Sequence, residues 1–430
     1  MGASLQTVAP TGAGDMSGAC SGSTPHPRTR RTYSAVTRRW WTRGAAALCA
    51  GLLLASCEAT DAQRRDTAVS VQTPNGTGGR NHPTVETRAH VVLVSFDGFR
   101  ADYLDRFDTP NVDRLAARGL RANGLVSVFP SLTFPAHYSI ATGMHPEAHG
   151  IVGNRFFDPD RQEAFNYRDR DTVQDGSWWG GEPIWVTAER QGMVTGAFFF
   201  PGTEAAIGGV RPSYWYPYAG RTPNADRVRQ ALAWLALPSP ERPHLVTLYF
   251  SLVDRAGHNI GPDQPGMRRS VEQADRLLGQ LMDGLDTLPH ADRVSVVVVS
   301  DHGMASPDVD RLTVLPDLAN LRGVRLVSAG PAMALHVGDQ ARSRRLRDEL
   351  NTVLTDARAY LREEVPEHLH HRAHRRIGDL VVIPEDTGMV RVRRGDPPSA
   401  GEHGWDPTLP SMHGVFVAAG PGIRPGVALS

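Results

Sequence analysis

The chain has 430 residues, 40% apolar and 21% charged, with 46 basic and 46 acidic side chains in balance. That length holds one large domain or two ordinary ones with ample core, and zero net charge supplies no field to gather nucleic acid. Every basic residue is arginine, a compositional bias that excludes any lysine-dependent mechanism.

The three cysteines, Cys20, Cys49 and Cys57, all lie at the front, so no disulfide is expected in the body that follows. Residues 1–57 read as a targeting segment, with Met16 as a second candidate start. Arginines 28 to 43 make a basic region, and GAAALCAGLLL after them is too short to span a bilayer. Leu54-Ala55-Ser56-Cys57 resembles a bacterial lipoprotein cleavage signal, which predicts export to the periplasm or cell envelope with a lipid anchor at Cys57. Ordinary export with cleavage nearby is the alternative. Residues 58–88, polar and almost free of apolar side chains, read as a disordered tether, leaving 89–430 as the catalytic domain.

From residue 89 the pattern changes. HVVLVSF at 90–96 is a buried strand ending at Asp97-Gly98. Residues 109–119 form a helix with Thr109 as N-cap and Pro110 at its first position. A short strand is expected at 124–129, followed by a proline-bounded turn at FPSLTFP and a helix from Pro135 onward. The loop-rich segment 156–218, dense in Trp, Phe and Gly, suggests a pocket wall or packing. Helices are predicted at 225–237, 266–285 and 342–360, and strands at 244–252, 294–300, 379–384 and, last, 414–419. Buried strands alternating with amphipathic helices give an α/β fold with a mostly parallel central sheet, whose ligands bind beyond the carboxyl ends of strands.

Three of those strands end in metal-competent residues: Asp97 after the first, Asp254 with His258 after the second, and Asp301-His302 after the third. Any one aspartate there is usually a turn former or cap. Three on one sheet edge would repel unless a cation sat among them. Mixed carboxylate and imidazole donors suit zinc first, with other divalent metals open. The set is too large for one four-coordinate site and suits two metals about 3.5–4 Å apart. Such a pair acidifies a hydroxyl nucleophile and neutralises phosphate charge. Thr133, at a strand-to-helix turn, has the position for that hydroxyl, although a threonine there also serves as an N-cap.

The segments VSFDGFR, TPNVDRLAARG, PSLTFPAHYSIATGMHPEAHGIVGN, WWGGEPIWVTAERQG, DRAGHNIGP, SDHGM and GEHGWDP, in that order, resemble the nucleotide pyrophosphatase/phosphodiesterase family of the alkaline phosphatase superfamily. We read the chain as a bacterial, lipoprotein-type member. The resemblance implies two Zn2+ ions, one held by Asp97, Asp301 and His302 with Thr133 over it as nucleophile, the other by Asp254, His258 and His403. His413 competes with His403 by position, and the GEHGWD loop favours His403. Asn154 would donate to a non-bridging phosphate oxygen, and Phe134 and Tyr218 would flank a nucleobase. Ala136 departs from the asparagine common there, and the family pattern continues with a helix beyond the position of Ser430.

The implied activity is hydrolysis of phosphodiester or pyrophosphate bonds in nucleotides or related small molecules, through a phosphothreonine intermediate. A phosphomonoesterase or phosphonate hydrolase on the same site, and a zinc-dependent nucleotide- or phosphate-binding lipoprotein without turnover, are the alternatives. A sulfatase would need Cys or Ser in a Cys/Ser-x-Pro-x-Arg setting, which TFPAH lacks. The histidines 368, 370, 371 and 374 among arginines read as a solvated face.

Overall fold

Runs of β-branched and aromatic residues without polar alternation form strands buried on both faces, and they build the centre of this molecule. The computed structural model describes residues 79–393, 395 and 398–429. Its central sheet has eight strands: β1 (His90–Phe96), β2 (Gly119–Ala122), β3 (Thr195–Phe198), β4 (Tyr214–Tyr216), β5 (Leu245–Phe250), β6 (Val294–Val299), β7 (Phe416–Ala419) and β8 (Val427–Leu429). The spatial order is β8-β2-β7-β6-β1-β5-β3-β4. β1 lies at the middle, parallel to β5 and β6, and only β7 runs against its neighbours. The fold is therefore α/β with a mostly parallel central sheet, as the strand and helix pattern predicts, and it agrees with the alkaline-phosphatase-like class that the resemblance implies.

Alternate residues of β1 feed two cores. Val92, Val94 and Phe96 pack with helices α1 (Pro110–Arg118), α3 (Asn224–Leu235) and α5 (Met267–Asp286). Leu93 faces the other way, toward α2 (Thr133–Thr142) and the aromatic segment containing Trp178, Trp179 and Trp185. Helix α4 (Leu252–Ile260) follows β5 directly, and α6 (Gln340–Val353) packs on a separate four-stranded antiparallel sheet.

Several boundaries differ from the sequence reading. Residues 124–129 form no strand; Leu125 makes a single bridge to Gly414 while β2 supplies the sheet position. The helix predicted over 342–360 stops at Val353, because Ala357–Leu361 pairs with Leu380–Pro384, a tertiary preference that overrides local propensity. β8 lies beyond the strand expected to be last. Helix α2 begins at Thr133, so Pro135 sits within its first turn, where a missing N–H costs nothing. Thr133 is thus the first helical residue and Leu132 the cap.

Residues 79–88, expected to belong to a tether, pack on the domain instead. Asn81 is buried, its side chain donating to Ser239 O and Arg242 O and accepting from Val194 N–H, and Val85 is buried as well. The histidine-rich stretch is not one solvated face: His368 and His370 are exposed, but His371 is 2% exposed. Residues 1–57, read from the sequence as a targeting segment that includes Cys57, and 58–78 of the expected tether lie outside the described residues. Among the described residues no helix is long and apolar enough to cross a membrane.

Candidate active site

The carboxyl ends of β1, β5 and β6 deliver Asp97, Asp254 and Asp301 to one place, because the three strands are adjacent and parallel. The backbone ties them further: Asp254 N–H donates to Asp97 O at 2.9 Å, and Gly98 N–H donates to Asp301 Oδ1 at 3.3 Å. Gly98 makes the approach possible. Its φ is +68°, and a Cβ there would lie 2.8 Å from Asp254 Cα.

Each histidine is aimed by a main-chain carbonyl. The Nδ1 atoms of His258, His302 and His403 lie 2.7, 2.8 and 2.8 Å from Gly401 O, Gly303 O and Ser131 O. That leaves every Nε2 facing the carboxylates, the orientation that outer carbonyls impose on metal ligands. His258 Nε2 and His403 Nε2 are 3.3 and 3.5 Å from Asp254 Oδ1. His302 Nε2 is 3.0 Å from Asp301 Oδ2 and 3.5 Å from Asp97 Oδ1. Two groups result, Asp254 with His258 and His403, and Asp97 with Asp254 and His302, each with donor atoms within 4.8 Å of one another. The structure therefore puts Asp254 in both groups, with Asp301 beside His302. His413 belongs to neither group; its Nε2 faces Pro407 O at 3.1 Å.

The donor set fits a cation pair. Asp97 Oδ1, Asp254 Oδ1, Asp301 Oδ2 and His302 Nε2 are buried, and although imidazole nitrogens lie 3.0–3.5 Å from these oxygens, none of the four atoms makes a well-aligned hydrogen bond. Burial, with the Asp301 and Asp254 carboxylates beside it, raises the Asp97 carboxyl well above the usual range. Burial opposes ionisation of Asp301 too, but His302 and His137 hold it well below that range. Burial likewise works against a cationic His258, yet Asp254 lifts it to about 9. Carboxylates crowded this way, with orphaned oxygens turned to a common point, are what two divalent ions would satisfy.

Thr133, Phe134, Asn154 and Tyr218 line the same cavity of about 840 Å³ as Asp97, Asp254, His258 and His403. Asn154 Oδ1 accepts the Phe134 N–H at 2.9 Å. The Phe134 ring packs edge-on to Tyr167 at 5.8 Å. On another wall Tyr218 is 38% exposed and sits edge-on to Phe199 at 5.1 Å. Glu204 fixes it, accepting Tyr218 N–H at 2.9 Å and Arg170 Nη1 at 2.7 Å.

Two residues escaped the sequence reading. His137, one helical turn after Thr133, is fully buried; its Nδ1 donates to Thr133 O at 2.8 Å and lies 3.1 Å from Asp301 Oδ2, and its Nε2 is 2.7 Å from Ser95 Oγ. The i, i+4 spacing from Thr133 was the available signal. Tyr249, read as one more apolar strand residue, donates its hydroxyl to Asp97 Oδ2. A hydroxyl at the carboxyl end of a buried strand marks it in retrospect.

Residues 91–406 match the family model for type I phosphodiesterase / nucleotide pyrophosphatase. The chain is 35% identical, over 81% of its length and 74% of the relative's, to an uncharacterized pyrophosphatase/phosphodiesterase of Schizosaccharomyces pombe. It is 33% identical over 81% of its length to venom phosphodiesterase 2 of Crotalus adamanteus, of which it covers 44%. Murine ectonucleotide pyrophosphatase/phosphodiesterase 5, solved as an inactive threonine-to-alanine variant in complex with AMP, superposes with a TM-score of 0.75 at 30% identity, over 80% of this chain and 91% of that one. The chain belongs to the type I phosphodiesterase / nucleotide pyrophosphatase family. It is an enzyme of the phosphodiesterase-type hydrolase class with a dinuclear Zn2+ centre and a small-molecule nucleotide or phosphodiester substrate.

These relatives are fungal, reptilian and mammalian, which overturns the reading of a bacterial lipoprotein-type member. The periplasmic, Cys57-anchored placement falls with it. A cysteine after small residues is too short a pattern to carry that assignment alone.

Proposed function

We propose that the chain hydrolyses nucleotide-type phosphodiesters or pyrophosphates with Thr133 as nucleophile, and that residues from about 79 onward form the catalytic domain. Asp97, Asp301 and His302 would hold one zinc ion and Asp254, His258 and His403 the other, with Asp254 also within reach of the first. When bound, such ions neutralise phosphoryl charge and lower the pKa of the attacking hydroxyl and water. The Thr133 hydroxyl gives its proton to solvent and its oxygen bonds to phosphorus while the bond to the leaving oxygen breaks on the opposite side, that oxygen departing as phosphate or taking a proton from solvent to leave as the alcohol. Water then attacks the phosphothreonine and Thr133 leaves. Two in-line displacements give net retention at phosphorus.

Asn154 serves the charge that develops. Its Oδ1 is occupied by Phe134 N–H, so its Nδ2 is the group able to donate to a non-bridging oxygen. Phe134 and Tyr218 supply aromatic faces for a base. The observation that carries the reading is a single cavity lined by Thr133, Asn154 and members of both metal groups. The murine relative, inactive as a threonine-to-alanine variant and seen with AMP, supports it.

The test is hydrolysis of bis-p-nitrophenyl phosphate and p-nitrophenyl phosphate by the zinc-supplemented protein and by Thr133→Ala. Diester turnover well above monoester turnover, abolished in the variant, is expected. A monoester preference moves the assignment to a phosphatase. Zinc-loaded, folded protein without turnover moves it to a binding protein.

A further inference from the structure

Beside the catalytic cavity lies a second one of about 520 Å³, and the two share Ser251 and Arg255 as walls. The shared segment is the start of α4, the helix that carries Asp254 and His258. The second cavity is lined by Arg227, Arg255 and Arg276, and no carboxylate lines it.

These arginines are poorly neutralised. The one side-chain bond of Arg255 is a long 3.4 Å contact from Nη2 to Ser251 Oγ. Arg276 is 3.8 Å from Glu272, a carboxylate that Arg268 also engages at 3.3 Å. Arg227 is 1% exposed; its Nη groups donate to Tyr249 O and Thr222 O, while its buried Nε has no partner. A buried guanidinium with an unused donor is costly unless an anion comes to it. The cavity also receives the first residues of α3, Asn224 and Ala225. That twelve-residue helix has no side-chain cap, and its one acid in the first turn, Asp226, is paired with Arg229. Free N–H groups at a helix start favour anions.

We propose that this second cavity is a phosphate subsite, which holds a phosphate group of the substrate beyond the one being cleaved. The inference rests on the phosphodiesterase reading of the neighbouring cavity. It selects, among diesters, those that carry at least one further phosphate, over diesters with two neutral organic arms.

Two substrates separate the cases: ATP, which carries further phosphates, and bis-p-nitrophenyl phosphate, which carries none. The variants are Arg276→Ala and Arg276→Glu, at a position that lines only the second cavity and is exposed on α5. The ratio of kcat/KM for ATP to that for bis-p-nitrophenyl phosphate should fall about tenfold in the first and further in the second, mainly through KM, as expected for a lost charge-assisted contact. An unchanged ratio, or equal losses on both substrates, overturns the subsite. Absence of diester turnover in the unmodified protein would instead overturn the catalytic reading. Calorimetric titration of the zinc-loaded protein with tripolyphosphate then decides the subsite: weaker binding by Arg276→Glu supports it, and equal binding overturns it.

Discussion

The side-chain oxygen of Asn154 accepts the Phe134 N–H at 2.9 Å, and this one bond fixes which end of the amide faces the cavity. An asparagine oxygen must meet an N–H donor, so both N–H groups of Nδ2 remain for a ligand. Asn154→Ala is expected to lower kcat by roughly 10²–10³-fold, the range for loss of one oxyanion donor, with zinc content unchanged. Asn154→Asp keeps the acceptor for Phe134 but presents negative charge to phosphate, and should be at least as impaired. Steady-state kinetics with metal analysis checks this. An Asp variant of normal activity would mean that the side chain only shapes the turn.

Asp254 joins the two metal groups through one carboxylate, with Oδ1 3.3 Å from His258 Nε2 and 3.5 Å from His403 Nε2. Removing it should therefore disturb more than one ion. Asp254→Asn is expected to hold less than one zinc per chain, whereas His258→Ala and His403→Ala each keep about one, since each serves a single group. Zinc content after dialysis, read by emission spectrometry, is the measurement. An Asp254→Asn protein that retains two zinc ions would refute the shared position.

The metal residues were legible because strands declare their ends: HVVLVSF and VSVVVVS each run directly into an acid, HLVTLYFSL reaches Asp254 two residues on, and adjacency in a parallel sheet does the rest. His403 was not legible that way. It comes from a loop about a hundred residues after His302, and its place depends on Ser131 O, a contact no spacing encodes. Only the family resemblance separated it from His413. Asp254 was assigned to one ion, while the geometry puts it within reach of both groups, a matter of angstroms that sequence does not carry. The strand expected at 124–129 and the helix expected to run to 360 failed for a common reason. Short apolar runs read alike as strand, loop or helix end, and the partners at Gly414 and Leu380–Pro384 decide.

His137 links three parts of the site: the first residue of α2, the Asp301 carboxylate and Ser95 on β1. Because both neighbours of Nδ1 are acceptors, Nδ1 carries the proton and Nε2 accepts from the Ser95 hydroxyl. His137 is then a positioning residue for Asp301. His137→Leu should weaken zinc binding by about 10- to 100-fold, the usual cost of losing an outer partner, while Asn, which can imitate the Nδ1–H donor, recovers part of it. Competition with a chromophoric zinc chelator reads the affinity directly. Equal affinity in the Leu variant would leave His137 a packing residue.

Acid should destabilise the fold at a place far from the metals. His90 opens β1, seven residues before Asp97, so it lies about 20 Å away at the other edge of the sheet. It stacks on His244 at 4.6 Å, lies near His290 at 5.3 Å and donates from Nδ1 to Pro243 O at 2.9 Å. Burial is the main cause that lowers its pKa to about 4, with His244, His290 and Arg242 adding repulsion. A histidine with a lowered folded pKa takes up its proton more readily when unfolded. Its stabilisation is complete above about pH 6.5 and is lost as pH falls toward 4. A His90→Gln variant keeps a donor for Pro243 and cannot titrate. The difference in Tm between the parent and this variant should therefore shift in favour of the variant between pH 7 and pH 5. Loss of zinc at low pH affects both proteins equally and cancels in that difference. A gap that stays constant with pH would show that His90 does not drive the acid response.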